Sequence, residues 1–550
     1  MSETDLSGKY WLFYFGLIVS FLLLLAGVFN LTLIKGAYFK MRAWDNKIFE
    51  QIIPAARGTI YDRKGRVLSE SVYQYFKIDD KGNKLYEGLG NFDGFKFEGK
   101  NLAYELKRRY PYGESASLLT GYLGKTEKDE LGEEICGRKL GAEMLVGRMG
   151  VEKEEGCLLM GKDGKRLIEV DAMGEYVREL GRAEPEAGED LHLSIDAFWQ
   201  EKIFKLVSEY EKKIVVIVSE PASGKIIALV STPSFDANKF SYERDGEAIE
   251  VYLADGDNRP LLNRATASIY QPGSVFKIVM ATAGLESGVI NGQTEFEDTG
   301  VIKVGEWSYT NWLWNRGGGT DGMVNVVKGI KRSNDIFFYR LGEALGVERI
   351  DDWAKKFGLG KKTEVELTGE LAGVVPDPEW KKRVKGEAWY LGNTYHLSIG
   401  QGDLLVTPLQ INLMTNTVAN DGKRCQMSLL ADKKSECVDL KIGENNLALV
   451  KEGMKQACKS GGTAWPLFNF KTSLACKTGT AEVGDGSKDT HAWLTAFAPA
   501  DNPQISITVL VERGGEGSDV AAPIVGDILK EWFDEPETVV PRYDEDALGD

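Results

Sequence analysis

Between Tyr10 and Ile34 the chain carries no charged residue, and Phe, Leu, Ile and Val dominate the stretch. About twenty such residues span the hydrocarbon core of a bilayer as a helix. The stretch is too long for the apolar region of a signal peptide, and no small-residue cleavage site follows it, so it reads as an uncleaved signal anchor. Further along, residues 214–220 and 225–231 are short apolar runs joined by the turn residues Pro221-Ala-Ser-Gly224. They predict a strand pair. Residues 494–498 and 505–512 predict a second pair, joined across Pro499 to Pro503. Helices are expected between the pairs, over 274–287, 323–331 and 446–459, and after them over 520–533. Antiparallel strands early and late, with helices between, predict an α+β domain in which a sheet is covered by helices.

The length of 550 residues suggests several domains, and an apolar content of 43% is ample for a sizeable core. The expected order is a cytoplasmic tail at 1–9, a transmembrane anchor at 10–34, an elongated α/β pedestal at 35–189, the main domain at 190–535, and an acidic disordered tail at 536–550. Glu184-Pro-Glu-Ala-Gly188 reads as the linker between pedestal and main domain. The net charge of −16 argues against a nucleic-acid surface and fits solubility. Charges flanking the anchor do not set its orientation, since Lys9 precedes it and Lys35, Lys40 and Arg42 follow.

Candidate chemistry lies in three short motifs. Tyr270-Gln-Pro-Gly-Ser-Val-Phe-Lys277 holds a Ser-x-x-Lys, Ser333-Asn-Asp335 follows, and Lys477-Thr-Gly479 comes far downstream. Each triplet alone is weak, because Ser-x-x-Lys recurs by chance and Lys-Thr-Gly alone is a turn. Their order and spacing carry the signal. A serine hydroxyl needs a neighbouring base, and Lys277, three residues after Ser274, lies on the same helical face. Ser274 would stand at a helix N-terminus, where developing negative charge is favoured. Lys277, held neutral by burial and cationic neighbours, would take its proton. The three histidines leave the span between His192 and His396 empty, which makes a lysine base more natural than a Ser-His-Asp triad. Ser333 reads either as the N-cap of the next helix or as a hydroxyl that relays a proton. On a strand over 474–481, Lys477 would add positive charge, Thr478 and Thr480 would bind a substrate carboxylate, and Gly479 would admit close backbone approach. The backbone N–H groups of Ser274 and Thr480 would form an oxyanion hole.

These motifs, taken with others, resemble the class B penicillin-binding proteins. Arg57-Gly-Thr-Ile-Tyr-Asp-Arg63 is similar to the family's N-terminal signature. Gly147 to Lys153, Glu169 to Gly174, Leu193 to Gln200, Pro233 to Asp236, Asn263-Arg264, Trp389 to Thr394, Ser398 to Gly402 and His491-Ala-Trp493 match in order. The likeness runs from Arg57 to about Phe533 and is weakest over 69–118. Asp335, where the wider family more often has Asn, points to the elongation subgroup. The resemblance implies a peptidoglycan D,D-transpeptidase that works through a serine acyl-enzyme and binds β-lactams covalently. Its catalytic residues would be Ser274, Lys277, Ser333, Asp335 and Lys477, and its substrate-binding residues Thr478, Gly479 and Thr480. It would need no cofactor. Its expected partners are peptidoglycan stem peptides, the bacterial membrane, a SEDS-type glycosyltransferase and other elongation-complex proteins. The resemblance also implies a single-pass protein of the bacterial inner membrane with its catalytic domain outside the cytoplasm. No glycosyltransferase signature precedes Arg57, so glycan polymerisation is expected from another protein.

Some relatives carry a zinc site between the first and second motifs. No Cys lies between Cys157 and Cys425, and the same stretch before His396 holds no His after His192, so a His/Cys zinc site there is excluded by ligand type. Two other classes compete with the transpeptidase reading. A β-lactamase or D,D-carboxypeptidase would use the same serine, and the pedestal and Asp335 disfavour it. A β-lactam sensor is disfavoured because the nine residues before the anchor are too few for a signalling domain, and a non-catalytic scaffold because Ser274, Lys277 and Lys477 are all present. Six cysteines fit an oxidising location, with sequential pairing the simplest of fifteen connectivities and free buried thiols the alternative. Cys476 precedes Lys477 on the strand, so its sulfur points away from the lysine's face. It would then meet Cys458 on the helix behind.

Overall fold

The computed structural model describes residues 4–45, 47–78, 84–90, 102–141, 144–171 and 176–535. The tail at 536–550 lies outside them. The chain divides into two compact units, Met1–Arg57 with Met160–Gly188, and Gly58–Leu159 with Glu189–Asp550.

In the first unit, helix Thr4–Phe29 runs into a π-helical turn, Asn30–Ile34, and then helix Gly36–Asp45. The segment Tyr10–Ile34 is long and apolar enough to cross a bilayer, and none of its most apolar stretch is buried against the protein. A three-stranded antiparallel sheet follows, ordered Ile48–Ile53, Gly164–Val170, Tyr176–Ala183.

The second unit begins with a sheet built on the long strand Val67–Ile78, which pairs with Lys84–Gly90 and Leu102–Arg109. A buried ion pair sits behind it, with Arg108 Nε donating to Glu152 Oε1 at 2.7 Å. Cys136 and Cys157 are bonded, with Cα atoms 5.3 Å apart.

The larger part of this unit is organised by a five-stranded antiparallel sheet. Across it run Ile226–Ser231, Ile214–Ser219, Ile505–Val511, Thr490–Ala498 and Ala475–Glu482. The two expected hairpins are its core. Their strands are apolar at nearly every position because both faces are covered, which removes the usual hydrophobic/polar alternation. Val215 and Ile217 pack on the side that carries Val275, Phe276, Ile278, Phe337 and Phe338. Ile214, Val216 and Val218 pack on the other side with Val207, Leu467, Ile524 and Ile528. The sheet is therefore a middle layer between two helical layers.

Three elements differ from expectation. Met323 belongs to a short strand, Gly322–Val324, paired with Phe296–Asp298, and the helix starts later, at Val326–Arg332. The cause is local: the Asn325 side chain accepts from Lys328 N and sets the helix start there. The segment after Pro272 opens as a 3₁₀ turn, Gly273–Phe276, and becomes α-helical only at Lys277–Glu286. The helix expected over 446–459 is Glu444–Ala457, with Cys458 as its C-cap.

Candidate active site

The turn Gly273–Phe276 carries Ser274 and is held from beneath. Gly273 has φ +56°, and a Cβ there would lie 2.7 Å from the carbonyl oxygen of Thr480, so only glycine fits. Its N–H donates to Gly400 O at 2.8 Å. Trp493 Nε1 donates to Gln271 O at 3.0 Å. The Tyr270 hydroxyl donates to Glu512 Oε1 at 2.5 Å, and Arg264 Nε reaches the same oxygen at 3.0 Å. These contacts pin the approach to Ser274 onto the sheet. Ser274 itself is half-buried, whereas Lys277, the first residue of the α-helix, is fully buried.

The second motif meets that lysine. Lys277 Nζ donates to Asp335 Oδ1 at 2.6 Å, to Ser333 O at 2.6 Å and to Ser333 Oγ at 3.3 Å. Ser333 does not cap the following helix. That cap is Asn334, whose side chain accepts from Phe337 N at 2.9 Å. Ser333 instead ends the preceding helix in the left-handed conformation, φ 54°. In this conformation its carbonyl and its hydroxyl both face the lysine.

The third motif lies on Ala475–Glu482, the sheet's edge strand. Lys477 is fully buried, and its Nζ donates to Ser333 Oγ at 2.8 Å and to Thr478 O at 3.0 Å. A Cβ on Gly479 would stand 3.0 Å from Pro272 O and 3.1 Å from Val275 Cγ1, so the glycine lets the strand press against the serine turn. Thr478 Oγ1 shares a 2.7 Å hydrogen bond with Thr463 Oγ1. Thr480 O accepts from Gln401 Nε2 at 3.3 Å, and Thr480 Oγ1 accepts from Gly517 N at 3.4 Å. Cys476 points to the opposite face from Lys477 and is bonded to Cys458, with Cα atoms 5.9 Å apart.

The electrostatics follow from burial and a charge count. Burial pushes the Lys277 amine below the usual lysine range, against the upward pull of Asp335. Burial also holds Lys477 well below that range, and the charge of Lys277 pushes it further down. Of the groups bonded to the two amines only Asp335 is anionic, so it balances one ammonium and the other is favoured as a neutral amine. The Ser333 hydroxyl bridges both nitrogens and offers a path for one proton between them.

The structure therefore brings Lys277, Ser333, Asp335 and Lys477 into one hydrogen-bonded cluster, with Ser274 one helical turn from Lys277. Thr478 and Thr480 lie on the same strand, turned from the face of Lys477. Sequence reading does not reach Thr463, or the buried side chains of Asp298, Asn311 and Asp321 behind the second motif. They come from separate segments, and no local spacing marks them. Asn334 is within the motif, and its capping role has a sequence signal, since Asn is a preferred N-cap ahead of an apolar run.

The model of the penicillin binding protein transpeptidase domain matches residues 214–530, and that of the penicillin-binding protein dimerisation domain matches residues 74–193. The chain belongs to the class B penicillin-binding proteins. The peptidoglycan D,D-transpeptidase MrdA of Salmonella typhimurium is 30% identical over 598 aligned positions, covering 94% of each chain. Among solved structures, penicillin-binding protein 2 of Helicobacter pylori in complex with MreC is similar at a TM-score of 0.74 and 27% identity, over 88% of this chain and 99% of that one. A chain from a peptidoglycan synthase complex that coordinates polymerization and crosslinking matches at a TM-score of 0.78 and 26% identity, over 97% of this chain and 100% of that one. The mixed α/β architecture and the antiparallel sheet of this penicillin-binding protein are those expected from sequence. All six cysteines are paired, in sequential order.

Proposed function

We propose that this peptidoglycan D,D-transpeptidase cross-links stem peptides through an acyl-enzyme on Ser274, during cell-wall elongation. The observation that carries the reading is the buried Asp335–Lys277–Ser333–Lys477 cluster one helical turn from the serine. Proton passage through Ser333 leaves Lys277 neutral and Lys477 charged. A substrate carboxylate held by Thr478 and Thr480 at this edge of the sheet adds negative charge that favours a protonated Lys477, so binding prepares the base. Ser274 Oγ then attacks the penultimate D-alanine carbonyl, and its proton moves to Lys277. The backbone N–H groups of Ser274 and Thr480 hold the oxyanion. The C–N bond breaks, and the terminal D-alanine leaves with a proton delivered through Ser333. An amine of a second stem attacks the ester and regenerates Ser274. A β-lactam carbonyl takes the same path as far as the acyl-enzyme.

The apolar helix serves as an anchor in the bacterial inner membrane, with 35–189 as pedestal and 190–535 as the catalytic domain outside the cytoplasm. The MreC complex of the Helicobacter relative and the synthase complex support elongation-complex proteins and a SEDS-type glycosyltransferase as partners. The test is mass spectrometry of the penicillin-treated protein together with a cross-linking assay on stem-bearing glycan. A stable adduct on the Ser274 peptide and dimeric cross-links are expected. An adduct elsewhere, or rapid penicillin turnover without cross-links, rejects the reading.

A further inference from the structure

Behind the second motif lies a buried polar cage that no step above uses. Asp298 ends the strand Phe296–Asp298 and is 3% exposed. Its Oδ1 accepts from Gly300 N at 2.8 Å. Its Oδ2 accepts from Asn311 Nδ2 at 2.8 Å, from Asn334 Nδ2 at 2.7 Å and from Asp321 N at 2.8 Å. A carboxylate has acceptors only, so it serves four N–H donors at once. Asn311 and Asn334 are completely buried, and their other ends grip the motif. Asn311 Oδ1 accepts from Asp335 N at 3.2 Å and from Trp312 N at 3.0 Å. Asn334 Oδ1 caps Phe337 N, and its amide also reaches Asp321 Oδ2 at 3.0 Å. Asp321 in turn takes Arg332 Nε at 2.9 Å, and Arg332 Nη1 extends to Gly461 O at 3.1 Å.

One carboxylate thus restrains both residues that follow Ser333. Restraint is needed there, because Ser333 sits at φ 54°. That conformation is unfavourable for a residue that carries a Cβ. The same short segment presents the two closest partners of Lys277, Ser333 O and Asp335 Oδ1.

We propose that Asp298 is a positioning residue for Lys277, acting through Asn311, Asn334 and Asp335 to hold the Ser333 carbonyl and the Asp335 carboxylate on the amine. The proposal rests on Ser274 and Lys277 being nucleophile and base. Asp298 touches no reacting atom; its effect is on where the base stands.

Asp298→Asn tests this, because it keeps the shape but replaces one acceptor oxygen with a donor amide. No orientation of that amide serves all four N–H groups. In rapid-mixing acylation by a fluorescent penicillin, the pre-covalent dissociation constant and the final labelled fraction should match wild type. The acylation rate constant should fall about tenfold or more, and in an Asp335→Asn background the same change should cost less than about threefold. Asn311→Ala cuts the link while sparing three of the four bonds to Asp298, and should reproduce the fall even where Asp298→Asn folds poorly. A wild-type rate constant in both variants overturns the inference. So does a reduced labelled fraction with an unchanged rate constant, which marks a purely structural role, and so does a fully multiplicative effect with Asp335→Asn. Wild-type protein that takes no label would remove the reading of Ser274 itself, and the two failures are therefore distinct.

Discussion

Lys477 Nζ and Ser333 Oγ lie 2.8 Å apart, although 144 residues separate them in the chain. This contact joins the edge strand of the sheet to a helix–helix turn and extends the hydrogen-bonded chain from Asp335 and Lys277 through Ser333 to Lys477. It makes the second and third motifs one electrostatic unit, so a change at either lysine is felt at the other.

Ser274→Ala should abolish covalent β-lactam labelling while the thermal transition stays near wild type, since the variant loses a single half-buried hydroxyl. Gel fluorescence with a labelled penicillin reads the first quantity and calorimetry the second. Labelling that persists at wild-type level would place the nucleophile elsewhere.

Lys277→Met keeps most of the stem's volume and removes the amine. Acylation should fall by several orders of magnitude, because base and nucleophile act as a unit. A stopped-flow rate constant reduced by less than about tenfold would mean that another group takes the proton.

The pH dependence has a definite sign. Both lysines are lowered in the folded protein, so between their folded values and the unfolded lysine value of about 10.4 the unfolded chain binds more protons. These two groups therefore make stability rise with pH across that window. Acylation should likewise rise with pH and level off below the usual lysine range, as neutral Lys277 accumulates. Asp335 raises the Lys277 value, so Asp335→Asn should move the acid limb to lower pH while also reducing the plateau. A limb that stays fixed or moves upward in the rate profile would exclude Lys277 as the titrating base.

Gly479→Ala places a methyl against Pro272 O, Trp493 Cβ and Val275 Cγ1, all within 3.0–3.1 Å. The strand must move off the serine turn. A loss of about 1–3 kcal/mol in stability is expected from overpacking, together with a lower acylation rate constant. Denaturant melts and rapid-mixing acylation check the two effects, and wild-type values in both would show that the turn yields freely.

The disulfide between Cys458 and Cys476 closes a loop with a sequence separation of 18 residues. Its removal by Cys458→Ser with Cys476→Ser should cost roughly 3 kcal/mol on the chain-entropy model, and the labelled fraction at low temperature should remain high. Chemical unfolding with and without the bond gives the comparison. An unchanged midpoint would mean that the sulfurs contribute only as small buried groups.

What the sequence by itself determined was local. The membrane-length apolar run, the apolar strands of the two hairpins, and the Ser274–Lys277 spacing on one turn all depend on residues a few positions apart. So does the face of Cys476, because side chains alternate along any strand. The tertiary structure decided the rest. It turned Ser333 into a left-handed helix end rather than an N-cap, brought Lys477 to its hydroxyl, and set Thr463 against Thr478. It also closed Asp298, Asn311 and Asp321 around the second motif. The physical reason is that a buried polar group must find its partners wherever packing brings them. Residues such as Asp298 and Asn311 carry no periodicity or spacing that records the partner, and only the assembled layers of helix and sheet supply it.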